Sequence, residues 1–109
     1  MKSMLPLLLV LAASAAPARA SDYDYMVSAG EMRSMIDQDS KQKTMMIGYI
    51  SGVMDAQMRA REFCVPDGTS LADVGVRALK LMGQQPLESK APAADVIAVF
   101  LHGDYPCRK

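Results

Sequence analysis

The chain is poor in the residues on which most catalytic and metal sites depend. Its 109 residues include one histidine, two cysteines and no tryptophan. The single histidine, His102, excludes paired-histidine catalysis and histidine-rich metal sites. The cysteines, Cys64 and Cys107, lack the C-x-x-C spacing of redox enzymes, and the carboxylates are scattered. We therefore expect no enzyme activity, no cofactor and no metal site.

Long apolar runs are also scarce, and the one at the N-terminus has the features of an export signal. Lys2 precedes an apolar stretch over residues 5–13, which is too short to anchor the chain across a bilayer. Ala-Arg-Ala at 18–20 then matches the small-x-small pattern that signal peptidases cut. The sequence thus predicts a cleaved signal peptide over residues 1–20 and no membrane association afterwards.

Charge gives no indication of a polyanionic partner. The 12 basic and 12 acidic residues of the whole chain become 10 and 12 when Lys2 and Arg19 leave with the signal. Nucleic acids and anionic membranes favour a concentrated positive surface, so neither is expected as the main partner. In an exported chain of this size, Cys64 and Cys107 are expected to form one disulfide that stabilises a small domain.

Two chemical alternatives remain beside the structural disulfide. Cys64 or Cys107 could act as a nucleophile with His102, as in cysteine hydrolases. Thioethers bind copper(I), and Met32 and Met35 would offer two sulfurs on one helical face. An exported cysteine pair is more often structural, and methionines on apolar stripes usually fill a core.

Helical periodicity is the main structural signal, and no segment shows the period-two alternation of a strand. Ser28 with Glu31 fits a capping box that begins a short first helix, after an N-terminal tail at 21–27. Ser40 is expected to cap the longest helix, over about 41–63, with an apolar stripe that faces the core.

Two more helices complete the predicted fold. Ser70 resembles another cap, and the third helix, with Leu71 on its apolar stripe, would stop at Gly83. Pro92 suits the first turn of a last helix that ends near His102. We predict an all-α domain over residues 28–109, a small bundle of four main helices held by one disulfide.

Two glycines predict a helix–helix contact, and two loops predict a partner-binding surface. Gly48 and Gly52 lie four residues apart in the long helix, where glycine is unfavourable, so we expect another helix to approach closely there. The two proline-containing loops are stiff and polar, which lowers the entropy lost on binding. They supply the predicted partner-binding residues, which are Asp67, Thr69, Gln85, Leu87 and Glu88.

Several blocks in order resemble the Rap/Tai family of immunity proteins of type VI secretion. Residues 48–56 match that family's G-Y-x-x-G-x-x-D-A helix, and residues 63–68 match its F-C-x-P-x-G. The similarity continues to the closing Tyr-Pro-Cys at 105–107. The motif positions that we assign to the shared scaffold are Gly48, Tyr49, Gly52, Phe63 and Pro66.

The resemblance implies a small helical periplasmic protein that binds and neutralises a peptidoglycan-cleaving effector, an amidase or endopeptidase, by obstructing its active site. It also implies a possible homodimer. A second hypothesis is a periplasmic acid-stress chaperone of the Hde type, which is also small, helical and held by a disulfide. Its acidic trigger would be the protonation of carboxylates at low pH.

Overall fold

The computed structural model describes residues 26–108, so the predicted signal peptide and most of the predicted tail lie outside the described residues. Within this range the chain is helical, with no strand beyond an isolated bridge between Ser28 and Pro92. The all-α prediction is confirmed. The helices are α1 (Ala29–Gln38), α2 (Ser40–Arg59), α3 (Leu71–Met82) and α4 (Ala93–Asp104).

The first and third helices begin where their caps predict. In α1, the Glu31 amide donates to Ser28 Oγ at 3.1 Å and the Ser28 amide donates to Glu31 Oε1 at 2.8 Å. In α3, the Asp73 amide donates to Ser70 Oγ at 3.1 Å. Each cap satisfies backbone donors that a helix start leaves free.

The long helix differs from its prediction at both ends. Asp39, not Ser40, is its N-cap, because the Asp39 carboxylate accepts the Gln42 amide at 2.9 Å. A carboxylate is also favoured electrostatically at this positive end of a helix. Helix α2 stops at Arg59 rather than at residue 63, since Arg61 adopts a left-handed backbone with φ of 59°. Such a conformation cannot continue a right-handed helix.

All four helices contribute to one core. Phe63 is only 1% exposed. Val27, just before α1, is also buried, and its carbonyl accepts the Ala93 amide at 2.9 Å. Met32 is fully buried and Met35 is partly buried against the same cluster, so both methionines pack with the core. The buried apolar side chains of the helices include Met32, Met46, Ile50, Met54, Val74, Ala78, Met82, Ile97 and Leu101.

Helix α1 rests directly on the connection between α3 and α4, and Gly30 makes this possible. A Cβ atom on Gly30 would lie 2.2 Å from the Leu87 carbonyl oxygen and 2.9 Å from that of Ser89. The Gly30 amide donates to the same Ser89 oxygen at 3.1 Å, and the Ala29 amide donates to Ala91 at 2.7 Å. The close backbone approach in this fold is therefore at Gly30.

The predicted disulfide is confirmed. Cys64 and Cys107 are bonded, with their Cα atoms 4.9 Å apart. The Cys64 amide also donates to the Tyr105 carbonyl at 2.9 Å. Together these contacts fix the C-terminal segment to the loop that follows α2. Because both cysteines are bonded, neither offers a thiol nucleophile to His102.

Candidate interaction surface

A solvent-open apolar groove runs between α2 and α3. It encloses about 470 Å³, and its floor includes Met54, which lies 3.7 Å from the position that a Cβ atom on Gly75 would occupy. Because Gly75 has no side chain, the groove stays open above the Met54 sulfur. Its lining residues are Ile47, Ile50, Ser51, Met54, Asp55, Met58, Leu71, Ala72, Gly75, Val76 and Leu79.

The rim of this groove carries large apolar side chains in solvent. Val76 is 65% exposed, Leu71 46% and Ile47 42%. The prediction that Leu71 faces the core is therefore wrong, because as the first residue of α3 it lies beyond the edge of the packed interior. A contiguous exposed apolar patch is typical of an interaction surface.

The groove continues into a hollow beneath the loop between α2 and α3. Met58 and Leu71 line both spaces. This loop carries Asp67, which is exposed, and Thr69, whose amide donates to the Pro66 carbonyl at 3.1 Å in a tight turn. We call the groove together with residues 63–69 the groove–loop surface.

The disulfide and a buried ring make this loop rigid. Phe63 is in the core at its start, and Cys64 is bonded to Cys107. Gly68 supplies the positive φ, 88°, that the turn requires. A loop held in this way loses little conformational entropy when a partner binds.

The other predicted partner-binding residues lie elsewhere. Gln85, Leu87 and Glu88 belong to the connection at the far end of α3, which spans about 18 Å at the rise of an α-helix. Gln85 is half-buried and its carbonyl accepts Arg33 Nη1 at 2.7 Å, whereas Leu87 and Glu88 are exposed. The structure thus divides the five residues between two ends of the bundle and does not bring them into one site.

The expectation that a helix approaches Gly48 and Gly52 is wrong for residues 26–108. Both glycines are exposed, and a Cβ atom on either would have no neighbour within 4 Å. The periodicity of α2 places them on the side of the helix away from the core. Tyr49, between them, turns inward, and its partial burial raises the pKa of its hydroxyl.

An arginine joins α3 to the C-terminal segment on the side away from the groove. The Arg77 guanidinium lies 5.5 Å from the Phe100 ring centre and 5.4 Å from that of Tyr105. It also donates to the Tyr105 hydroxyl and to Asp104 Oδ2, the latter at 2.8 Å. The Tyr105 hydrogen bond is the main cause that raises the pKa of Arg77. This cluster uses its polar groups internally and is scaffold.

His102 has a structural place as well. Its Nε2 atom lies 3.0 Å from Gln57 Oε1 and 3.4 Å from Glu62 Oε1, so it links the last turn of α4 to the end of α2. No group of three or more histidine, cysteine, aspartate or glutamate side chains that could hold a metal ion is found among residues 26–108. In the same range no helix is both long and apolar enough to cross a membrane.

Comparison with known families decides the class of this protein. A family model described as Rap1a immunity proteins matches residues 25–107, which include all four helices and the disulfide. The chain belongs to the Rap1a immunity protein family. Members of this family are inhibitors, so the Rap1a chain is an immunity protein that acts on another protein and is not an enzyme. No curated protein and no solved structure matches it.

The groove–loop surface of this Rap1a protein was not predicted from its sequence. One signal in the sequence could have identified it. Ile47 on α2 and Val76 on α3 are apolar residues that lie outside the stripes that fill the core, so the apolar face of each helix is wider than the core requires. These additional apolar residues form a groove only when the two helices lie side by side. The sequence did point to the loop, through Asp67 and Thr69, and their partner-binding role stays a prediction.

Proposed function

We propose that this Rap1a protein is exported to the periplasm, where it binds a type VI-secreted effector that cleaves peptidoglycan and neutralises it by covering the active site. The signal pattern at 1–20 supports export, and the motif resemblance supports the effector class. Family membership supports the immunity role and gives no support to the acid-stress chaperone hypothesis. The chain is further proposed to form a homodimer, as the resemblance implies.

The observation that carries this proposal is that the apolar groove is continuous with the disulfide-bonded loop at residues 63–69. An effector segment with apolar side chains can enter between α2 and α3, where Met54 and Met58 adapt their shape to it. The rigid loop beside it would then reach the effector's catalytic cleft without a large entropy loss. Apolar contact provides affinity, and the polar residues Asp67 and Thr69 provide orientation.

The experiment is to purify the oxidised protein together with the cell-wall hydrolase encoded beside its gene. A stable complex and inhibition of peptidoglycan digestion are expected. Val76→Arg places a charge at the rim of the groove on a helix position that is 65% exposed, so folding is retained. We expect the dissociation constant to rise about tenfold or more, the size of a central interface contact.

Val99→Arg is the matched control, because Val99 is a valine on α4, 72% exposed and away from the groove. It should leave binding unchanged. Loss of binding in the Val99 variant alone would refute the groove as the contact surface. Absence of any complex and of any inhibition would refute the proposed function itself. Protein in the periplasmic fraction that begins at Ser21 would support export.

A further inference from the structure

The outward side of α2 is uncovered along its middle. We define the α2 outer face by residues that share this side of the helix and are all exposed. Among residues 26–108 nothing fills the space above Gly48 or Gly52. The α2 outer face consists of Lys41, Thr44, Met45, Gly48, Ser51, Gly52 and Asp55.

We propose that a second copy of this chain docks on the α2 outer face, with the two α2 helices antiparallel and Gly48 at the two-fold axis. This inference rests on the homodimer included in the proposed function and assigns its surface. Two glycines in the middle of the longest helix let two backbones approach more closely than side chains would permit. The same glycines weaken α2 as an isolated helix, and no contact within the described fold requires them.

Charge complementarity selects the second copy as the occupant and fixes the direction of the helices. Lys41 lies seven residues before Gly48 and Asp55 lies seven residues after it, about 10 Å in each direction along the helix. In the antiparallel pair, Lys41 therefore faces Asp55 of the partner subunit, once at each end. A parallel pair would instead oppose lysine to lysine and aspartate to aspartate.

The polar groups on this face are suited to burial. Thr44 Oγ1 donates to the Ser40 carbonyl at 2.7 Å, and Ser51 Oγ donates to the Ile47 carbonyl at 2.9 Å. Both hydroxyl donors are thus satisfied within α2, so covering them leaves no donor unpaired. Asp55 Oδ2 forms an ion pair with Arg59 Nε at 3.7 Å, but the Asp55 side chain remains exposed, so it can pair with a second cation.

Shape agrees with the same register. Met45 is 54% exposed and, in the antiparallel pair, lies across from Ser51 beside Gly52 of the partner subunit. A flexible thioether side chain can fill the gap that the missing side chain of glycine leaves. The interface meets the groove only along Ser51 and Asp55, so Leu71 and Val76 stay free for the effector.

The decisive variant is Gly48→Arg, measured by sedimentation velocity of the oxidised protein over a concentration series. Arginine has a higher helix propensity than glycine and meets no neighbour at this position, so the monomer should stay folded. Loss of the dimer would therefore not reflect unfolding. Two arginines meeting at the axis should raise the dimer dissociation constant by about 30-fold or more, as at a central hot spot. Gly103→Arg, at another open glycine on α4, is the matched control and should have no effect.

A charge exchange tests the register. Lys41→Glu and Asp55→Lys should each weaken the dimer, and the combined variant should recover most of the loss. Lys43→Glu makes the same charge change on another side of α2 and should leave the dimer intact. A dimer that survives Gly48→Arg would overturn this surface while leaving dimerisation standing. A monomer at all concentrations would overturn both, whereas the effector-binding experiment judges the immunity proposal separately.

Discussion

Replacement of Gly30 by alanine should destabilise this fold, although alanine is the better helix former. The added Cβ would lie 2.2 Å from the Leu87 carbonyl oxygen and 2.8 Å from its carbon, which are backbone atoms that cannot rotate away. The connection between α3 and α4 must therefore move off α1. That movement breaks the hydrogen bond from the Gly30 amide to Ser89 and strains the neighbouring bond from Ala29 to Ala91.

The size of the effect follows from three contributions. Overpacking at a tight site costs about 1–3 kcal/mol, and each broken backbone hydrogen bond costs about 1 kcal/mol. In the opposite direction, the higher helix propensity of alanine stabilises α1 by roughly 1 kcal/mol. We expect a net loss of about 1–3 kcal/mol in the free energy of unfolding, because the cost of the one broken hydrogen bond and the gain in helix propensity roughly cancel. For a domain of this size, a loss of that magnitude lowers the Tm by about 5–20 °C.

The assay is urea and thermal unfolding of the oxidised protein followed by circular dichroism, with Gly48→Ala as the matched control. Gly48 is also in a helix, but its Cβ position is open, so alanine there should stabilise the monomer by up to about 1 kcal/mol. The same substitution is thus expected to act in opposite directions in α1 and α2. Equal stability of the Gly30 variant and the unmodified protein would refute the close approach of α1 to the connection.

Two further stability predictions concern the C-terminal half. Replacing Cys64 and Cys107 together by serine should remove about 4 kcal/mol from the free energy of unfolding on the chain-entropy estimate, measured by urea titration; an unchanged midpoint would contradict it. Arg77→Ala should lower the Tm more than Lys80→Ala does, because only Arg77 contacts two aromatic rings and the Tyr105 hydroxyl. Equal melting temperatures would show that this cluster adds nothing.

The helix positions were largely predictable because their signals are local. A serine followed three residues later by an acidic residue marked the starts of α1 and α3, and both caps are formed. The start of α2 was missed by one residue because Asp39 and Ser40 are adjacent and both can cap. Its end was missed because Arg61 takes a left-handed backbone without glycine, which has no sequence signature.

The contacts of the glycines and the groove could not be predicted, because they depend on what lies opposite. Periodicity placed Gly48 on a face of its helix but could not show that this face is open. Gly30 carried no signal of its importance, since its neighbours at Leu87 and Ser89 are more than fifty residues away in sequence. The groove likewise arises from two helices whose relative placement only the fold determines.

The covalent ring closed by Cys64 and Cys107 also determines how the protein would respond to proteolytic nicking. The exposed part of the connection at Leu87 and Glu88 lies inside this ring, so one cut there cannot separate α3 from α4. Helix α1 holds both sides of such a cut, through Arg33 to Gln85 before it and through Ala29 to the Ala91 carbonyl after it. A nicked chain can thus keep its architecture, and dissociation into fragments would require both cleavage and reduction.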